Sequence, residues 1–133
     1  MRSSDLSTYG FQSWLAFNRA GEQSLVSALP SGPGAYVVRR CQDYKRRVGE
    51  SDVVYVGFAT NEQGLRMGIR QFFHPGRSQS THKRILALVG DSSDYELAYV
   101  ETQAAPDAKM LKARLLEHYE RDHAELPPEN KRH

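Results

Sequence analysis

Apolar residues near the start of the chain recur at spacings of three and four: Phe11, Trp14, Leu15 and Phe17, then Leu25, Val26 and Leu29. That spacing predicts short amphipathic helices within residues 1–30, packed as a cover on the rest of the chain. Ser31-Gly32-Pro33-Gly34 interrupts the pattern. Ala35-Tyr36-Val37-Val38 and Val53-Val54-Tyr55-Val56-Gly57-Phe58 are then rich in β-branched and aromatic side chains and read as strands. Between them residues 39–52 hold Arg39, Arg40, Lys45, Arg46 and Arg47, and read as a long solvated hairpin loop. A connection made only of loop pairs the two strands antiparallel. Leu65, Ile69, Phe72 and Phe73 mark one face of a short helix ended by His74-Pro75-Gly76, and Thr81 is placed to cap another through Ile85, Leu86 and Leu88. Residues 95–100 alternate like a third strand, and Pro106-Asp107 opens the longest helix, which runs to about His123 and stops at Leu126-Pro127-Pro128. The order strand, strand, helices, strand, helix predicts an α+β fold. A small three-stranded antiparallel sheet is flanked by helices, with residues 1–30 as a helical extension packed on a domain of residues 31–133.

Composition narrows the picture without naming a function. A chain of 133 residues that is 39% hydrophobic supports one core. With 18 Lys+Arg against 16 Asp+Glu the net charge is +2, so affinity for a polyanion must come from clustered charge. The single cysteine, Cys41, excludes an internal disulfide and a Cys-based zinc site, and is expected as a small buried or half-exposed thiol. No run approaches the ~18 apolar residues of a membrane span, and the first residues lack the layout of a signal peptide. A soluble, cytoplasmic setting without a membrane partner is therefore expected. Arg39 to Arg47, with Arg66, Arg70, Arg77, Lys83 and Arg84, would form a positive edge for phosphates if they share one rim. The competing reading is a solvated face in which Asp43, Glu50 and Asp52 disperse that charge. His74, His82, His118, His123 and His133 show no metal-binding spacing.

Gly34-Ala35-Tyr36 and Tyr55-Val56-Gly57, each on a predicted strand, resemble the two halves of the GIY-YIG nuclease signature. The later segments are similar in the same order: Leu65-Arg66 to Phe72-Phe73 resembles the family's first helix, and residues 107–119 its later one. Leu126-Pro127-Pro128 with Asn130 resembles its closing proline and asparagine. The resemblance spans Leu29 to Asn130 and implies a GIY-YIG-like fold. It also implies a DNA phosphodiesterase site of two tyrosines, an arginine, a glutamate holding one divalent metal, and an asparagine. A phenol can relay a proton, an arginine steadies charge on the phosphate, and a metal polarises the phosphoryl oxygen. The tyrosines fall on Tyr36 and Tyr55 and the asparagine on Asn130. The arginine position is Gly68 and the glutamate position is Lys112.

These two departures shape the functional reading. Arg66 and Arg70 stand two residues either side of Gly68, a rotation of about 200° on a helix, so neither points where Gly68 points. At about 100° per residue Lys112 falls inside the arc of Ala108, Leu111, Leu115, Leu116 and Tyr119, and so faces the sheet, while Glu117 lies nearly opposite. Lys112 reads as a snorkelling lysine, a phosphate-binding cation or a base, and Asn130 as a ligand-holding group or a simple chain cap. Three functions are compatible with these residues. The first is a nucleic-acid-binding protein, contacting the DNA backbone with Arg39, Arg66, Arg70 and His74, whose metal-dependent site has degenerated and which needs no cofactor. The second is a repurposed enzyme that takes a small acidic substrate on Tyr36, Tyr55 and Lys112. The third is an active Mg- or Mn-dependent endonuclease using displaced Arg66 or Arg70 with Glu117 or Glu120.

Overall fold

The computed structural model describes residues 1–60, 62 and 64–131. A 3-10 turn over Ser3–Tyr9 precedes strand β1 (Leu15–Ala16) and helix α1 (Glu22–Ala28). There follow β2 (Gly34–Lys45), β3 (Glu50–Ala59), α2 (Gly64–Phe73), α3 (Ser80–Val89), β4 (Tyr95–Glu101) and α4 (Ala105–His123). The strands form one antiparallel sheet in the order β1-β4-β2-β3. The α+β class is as expected, but the sheet has four strands, not three. The extra strand is β1, whose Leu15 and Ala16 pair with Leu97 and Glu96. A strand this short carries no periodicity of its own and forms only because the β4 edge is there to pair with.

The segment expected as a long loop is mostly strand. β2 continues to Lys45 and β3 starts at Glu50, with Lys45 opposite Glu50, so that only residues 46–49 turn. The charged residues tolerate this because they cover surface with their long stems. Arg39 lies 4.0 Å above the Trp14 ring, and Arg46 lies over Tyr44 while its Nη2 donates to the Leu126 carbonyl at 2.6 Å. The Tyr44 hydroxyl donates to the Val53 carbonyl. The backbone N–H groups of Arg47 and Val48 bond the Glu125 carboxylate and the His123 carbonyl, tying the hairpin tip to the end of α4. A register shift next to Val38 leaves Val54 as the extra residue of a bulge, which adds local twist just before Tyr55. Cys41 on this hairpin is exposed, with its thiol directed at Asp94.

Alternation along β2 divides the core into two layers. Tyr36 and Val38 enter the layer beneath α1, α2 and α3, with Leu25, Leu29, Leu65, Ile69, Phe72 and Ile85. Ala35 and Val37 enter the layer beneath α4 and the N-terminal turn, with Leu6, Phe11, Leu115, Leu116 and Tyr119. Burial of this apolar surface stabilises the fold by roughly 25 cal/mol per Å², so the N-terminal Leu6, Phe11, Phe17, Leu25 and Leu29, each almost fully buried, are structural members of both layers. Thr81 does not cap α3. That helix begins one residue earlier, at Ser80, with Gln79 at its cap position and the Gln79 side chain instead accepting from the Gly76 N–H.

β3 is an edge strand, and an edge presents unpaired backbone groups. Here the C-terminal segment closes it. The Glu129 N–H donates to the Val54 carbonyl at 3.0 Å. The Asn130 side chain accepts from the Val56 N–H at 2.9 Å and donates to the Val56 carbonyl at 2.8 Å, imitating a strand residue. Replacing Asn130 by Ala strips both partners from Val56, and the expected loss is about 1–3 kcal/mol of folding free energy. Urea unfolding monitored by circular dichroism measures it, and an unchanged midpoint would mean that the edge is closed by other contacts.

Candidate functional site

Tyr36 and Tyr55 come together on the α2–α3 face of the sheet. Their ring centroids are 6.2 Å apart, and Phe72 of α2 meets both edge-on, at 5.8 Å from Tyr36 and 6.1 Å from Tyr55. Gly57 is opposite Tyr36 in the register, and a Cβ there would stand 2.5 Å from the Tyr36 ring. The glycine that closes the Tyr-Val-Gly triplet is thus the seat of the other tyrosine's ring. Gly64, at φ +67°, lets the chain turn into α2 against the Ser31 carbonyl, where any Cβ would collide.

The environment of the pair is set by burial and by one cation. Burial raises Tyr36 well above the ordinary phenol value, and the neighbouring Tyr55 adds to the shift. Burial also raises Tyr55, while the Arg84 guanidinium and the hydrogen bond with Tyr36 oppose that shift. Both phenols are therefore neutral hydrogen-bond donors at physiological pH, and Tyr55, half-buried where Tyr36 is buried and the one on which the Arg84 cation acts, is the one able to act outward. Arg84 comes from α3. Its Nε donates to the Glu129 carboxylate at 2.7 Å and its Nη2 to the Glu129 carbonyl at 2.8 Å. His82, on the other flank of the buried Ile85, packs edge-on against Phe72 at 4.2 Å, and burial lowers its pKa so that the ring stays neutral.

The remaining expected site residues are dispersed. Lys112 is half-buried on α4, with its ammonium 5.4 Å from the centre of the Phe58 ring, on the sheet face opposite the phenols. Asn130 bonds both backbone groups of Val56, on the edge of β3. Glu117 and Glu120 lie on the exposed side of α4, because Leu115, Leu116 and Tyr119 take the sheet-facing arc. Arg39 is not a free phosphate contact: its Nη2 lies 2.7 Å from the Glu96 carboxylate, its Nη1 donates to Ser3 at 3.1 Å, and its plane covers Trp14. His74 bonds Glu22 at 2.7 Å and so ties α2 to α1. Arg66 and Arg70 are exposed on the outer side of α2, away from the phenols; Arg66 spends its Nε on the Leu29 carbonyl at 3.0 Å.

The cations expected on one positive rim are spread along the hairpin. Its tip, with Arg46 and Arg47, lies about 35–40 Å along the strand from the Gly34 end at which α2 starts, whereas Arg39 and Arg40 stand about 15–20 Å from that end, where Leu65 and Arg66 bond the Gly32 and Pro30 carbonyls. Arg2, Arg39 and Arg46 are moreover paired with Asp43, Glu96 and Glu125. A different concentration of charge appears on α2, α3 and the turn between them. Residues 63–90 contain Arg66, Arg70, Arg77, Lys83 and Arg84 and not one Asp or Glu. That run was visible in the sequence as a gap in the acidic residues, a signal that counting basic residues alone does not expose. Arg70 and Arg77 have no acidic partner among the described residues.

The metal that the resemblance implies does not find its carboxylate at the corresponding position. Magnesium requires hard oxygen ligands, and the position that would supply the carboxylate holds the Lys112 ammonium. Among the described residues no three His, Cys, Asp or Glu side chains converge. At the arginine position, Gly68 packs closely on β3, where a Cβ would approach the Ala59 Cβ to 3.2 Å.

No protein-family profile and no curated protein matches the chain. Among solved structures it is similar to the GIY-YIG N-terminal endonuclease domain of UvrC from Thermotoga maritima bound to its catalytic divalent cation, magnesium. The TM-score is 0.51 at 19% identity, over 84% of this chain and 98% of that one. It is also similar to a point mutant of the same domain bound to its catalytic divalent cation, with a TM-score of 0.52 at 18% identity, over 86% of this chain and 99% of that one. At such identity the likeness is one of architecture, and it agrees with the paired tyrosines, the seating glycine and the flanking helices: the chain has a GIY-YIG-like fold.

Proposed function

We propose that this chain binds the phosphate backbone of nucleic acid, DNA in the first instance, and that its metal-dependent cleavage site has degenerated. The observation that carries the reading is the acid-free run of residues 63–90, which puts four cations on two neighbouring helices and a fifth, Arg77, in the turn between them, in a fold shared with an endonuclease domain. In a chain of net charge +2, such segregation gives a local positive field that the total charge does not suggest. Arg66, Arg70, Arg77 and Lys83 are exposed, and cations of this kind contact phosphates with little regard to sequence.

The loss of cleavage rests on Gly68 and Lys112. A hydrolytic site of this type needs a cation aimed at the phosphate and a metal-bound carboxylate, and removing one electrostatic donor alone costs about 2.7–4 kcal/mol of transition-state stabilisation. The displaced-residue nuclease is disfavoured because Arg66 and Arg70 turn outward and Glu117 lies on the exposed face of α4. A small-substrate enzyme built on Tyr36, Tyr55 and Lys112 is disfavoured because the phenols and the ammonium occupy opposite faces of the sheet. Among the described residues no helix is long and apolar enough to cross a membrane.

Duplex DNA is expected to bind with a slope of log K against log salt of about −3 to −4, with Arg70→Ala and Arg77→Ala each flattening it by about one. Fluorescence anisotropy at several salt concentrations tests this, and salt-independent binding or none would sink the proposal. Plasmid and branched DNA are expected to remain intact with magnesium or manganese; cutting would restore a nuclease.

The phenols give a separate outcome. Tyr36, Tyr55, Tyr95 and Tyr119 all have folded-state pKa values raised above the unfolded value, chiefly by burial. Their contribution to stability is complete below about pH 10 and is lost as pH rises further. Urea midpoints measured from about pH 8 to about pH 11 should therefore fall only at the alkaline end. A fall beginning near neutrality would contradict the burial of these rings.

A further inference from the structure

The geometry points to Arg84, held by Glu129 beside Tyr55, as a phosphate-contacting group that reads one backbone phosphate together with the Tyr55 hydroxyl. This assignment rests on the phosphate-binding reading and adds a specific anchoring point to it. α2 offers only Gly68 at the position from which a cation would be aimed at the phenols, and α3 supplies one from another direction.

Three features make Arg84 fit for the task. First, it is fixed in place. Glu129 cannot drift, because its own N–H is bonded to Val54 and the next residue, Asn130, is bonded to Val56, so the two anchors bracket Tyr55 on β3. The guanidinium is therefore oriented before any ligand arrives, which removes part of the ordering cost of binding. Second, it has donors to spare. A guanidinium carries five N–H groups and Glu129 engages two of them, leaving three, including both on Nη1, in the fork geometry that suits a phosphate. Third, the group is reachable, since the Arg84 side chain is 35% exposed whereas its partner Glu129 is 17% exposed. The Glu129 carboxylate offsets part of the cation's charge, so the site favours a single phosphodiester held by directed hydrogen bonds over a dense polyanion held by charge alone. The neutral Tyr55 hydroxyl can donate one more hydrogen bond, and the Phe72 ring stands edge-on to Tyr55 with His82 packed against it.

The test uses the full chain and a dithymidine dinucleotide, which has one phosphodiester and is too short to span the outer surface of α2 and α3. Ring resonances of ¹³C-labelled tyrosine, assigned with Tyr55→Phe, report contact at the phenol, and duplex binding is followed in parallel by anisotropy. The Tyr55 resonance should shift saturably with dinucleotide. Arg84→Lys, which keeps the charge and loses the fork, should weaken that response at least about tenfold. Glu129→Gln, which keeps a side-chain acceptor for Nε and removes the opposing charge, should bind the dinucleotide at least as tightly as the wild type. If the Tyr55 resonance stays still, or Arg84→Lys binds like the wild type, while the duplex binds with the expected salt slope, then Arg84 is no anchor and the broader reading stands. If neither duplex nor dinucleotide binds, the broader reading fails and this assignment falls with it.

Discussion

The free edge of β3 must be closed before the phenol pair can exist as it does. An isolated edge strand would leave the Val54 and Val56 backbone groups to solvent or to another chain. The chain instead lays Glu129 and Asn130 along it, with the Asn130 amide serving as both donor and acceptor. This contact brackets Tyr55, sets the Glu129 carboxylate against Arg84, and so decides which cation stands near the phenols. The surroundings of Tyr55 are a by-product of how a sheet edge is finished.

Charge in this molecule is arranged by pairing in one half and by segregation in the other. Cations of the N-terminal turn and the β2–β3 hairpin, such as Arg2, Arg39 and Arg46, have carboxylates in contact, and Arg39 and Arg46 also lie over aromatic rings. Those of α2 and α3 sit in a run that contains no acidic residue. The first arrangement lets a hairpin rich in arginine pack as structure, since the stems bury apolar area and the heads meet carboxylates, although the buried Arg46 Nε has no hydrogen-bond partner. The second concentrates positive charge over α2, α3 and the turn between them, where Arg84 is in contact with a carboxylate, that of Glu129. Net charge averages over both and describes neither.

Much of the architecture was legible along the chain. The β2–β3 pairing, the α2 face of Leu65, Ile69 and Phe72, and the register of α4 that turns Lys112 inward and Glu117 outward all follow from periodicity, because each is fixed by burial of a continuous apolar stripe. β1 was not legible, since two residues have no period and their strand character comes from Leu97 and Glu96. The long hairpin was hidden because polar residues on a strand that packs through side-chain stems look like those of a loop. The Arg84–Glu129 contact joins residues 45 apart in sequence and depends on a C-terminal segment whose path is set by Asn130, so no local pattern could announce it. Gly57 was readable as a motif residue, and its physical reason, the Tyr36 ring lying across it, needed the register.

Residues 123–130 accept the hairpin tip at one end, through the His123 carbonyl and the Glu125 carboxylate, and at the other they lie along β3. They form a strap fastened at both ends across the same pair of strands, which couples the tip of the hairpin to the stretch of β3 around Tyr55. In hydrogen exchange the amides of Val48, Val56 and Glu129 should therefore be exposed by a shared opening event, as members of one cooperative unit, although the hairpin tip lies beyond the end of β3 and Tyr55 at its middle.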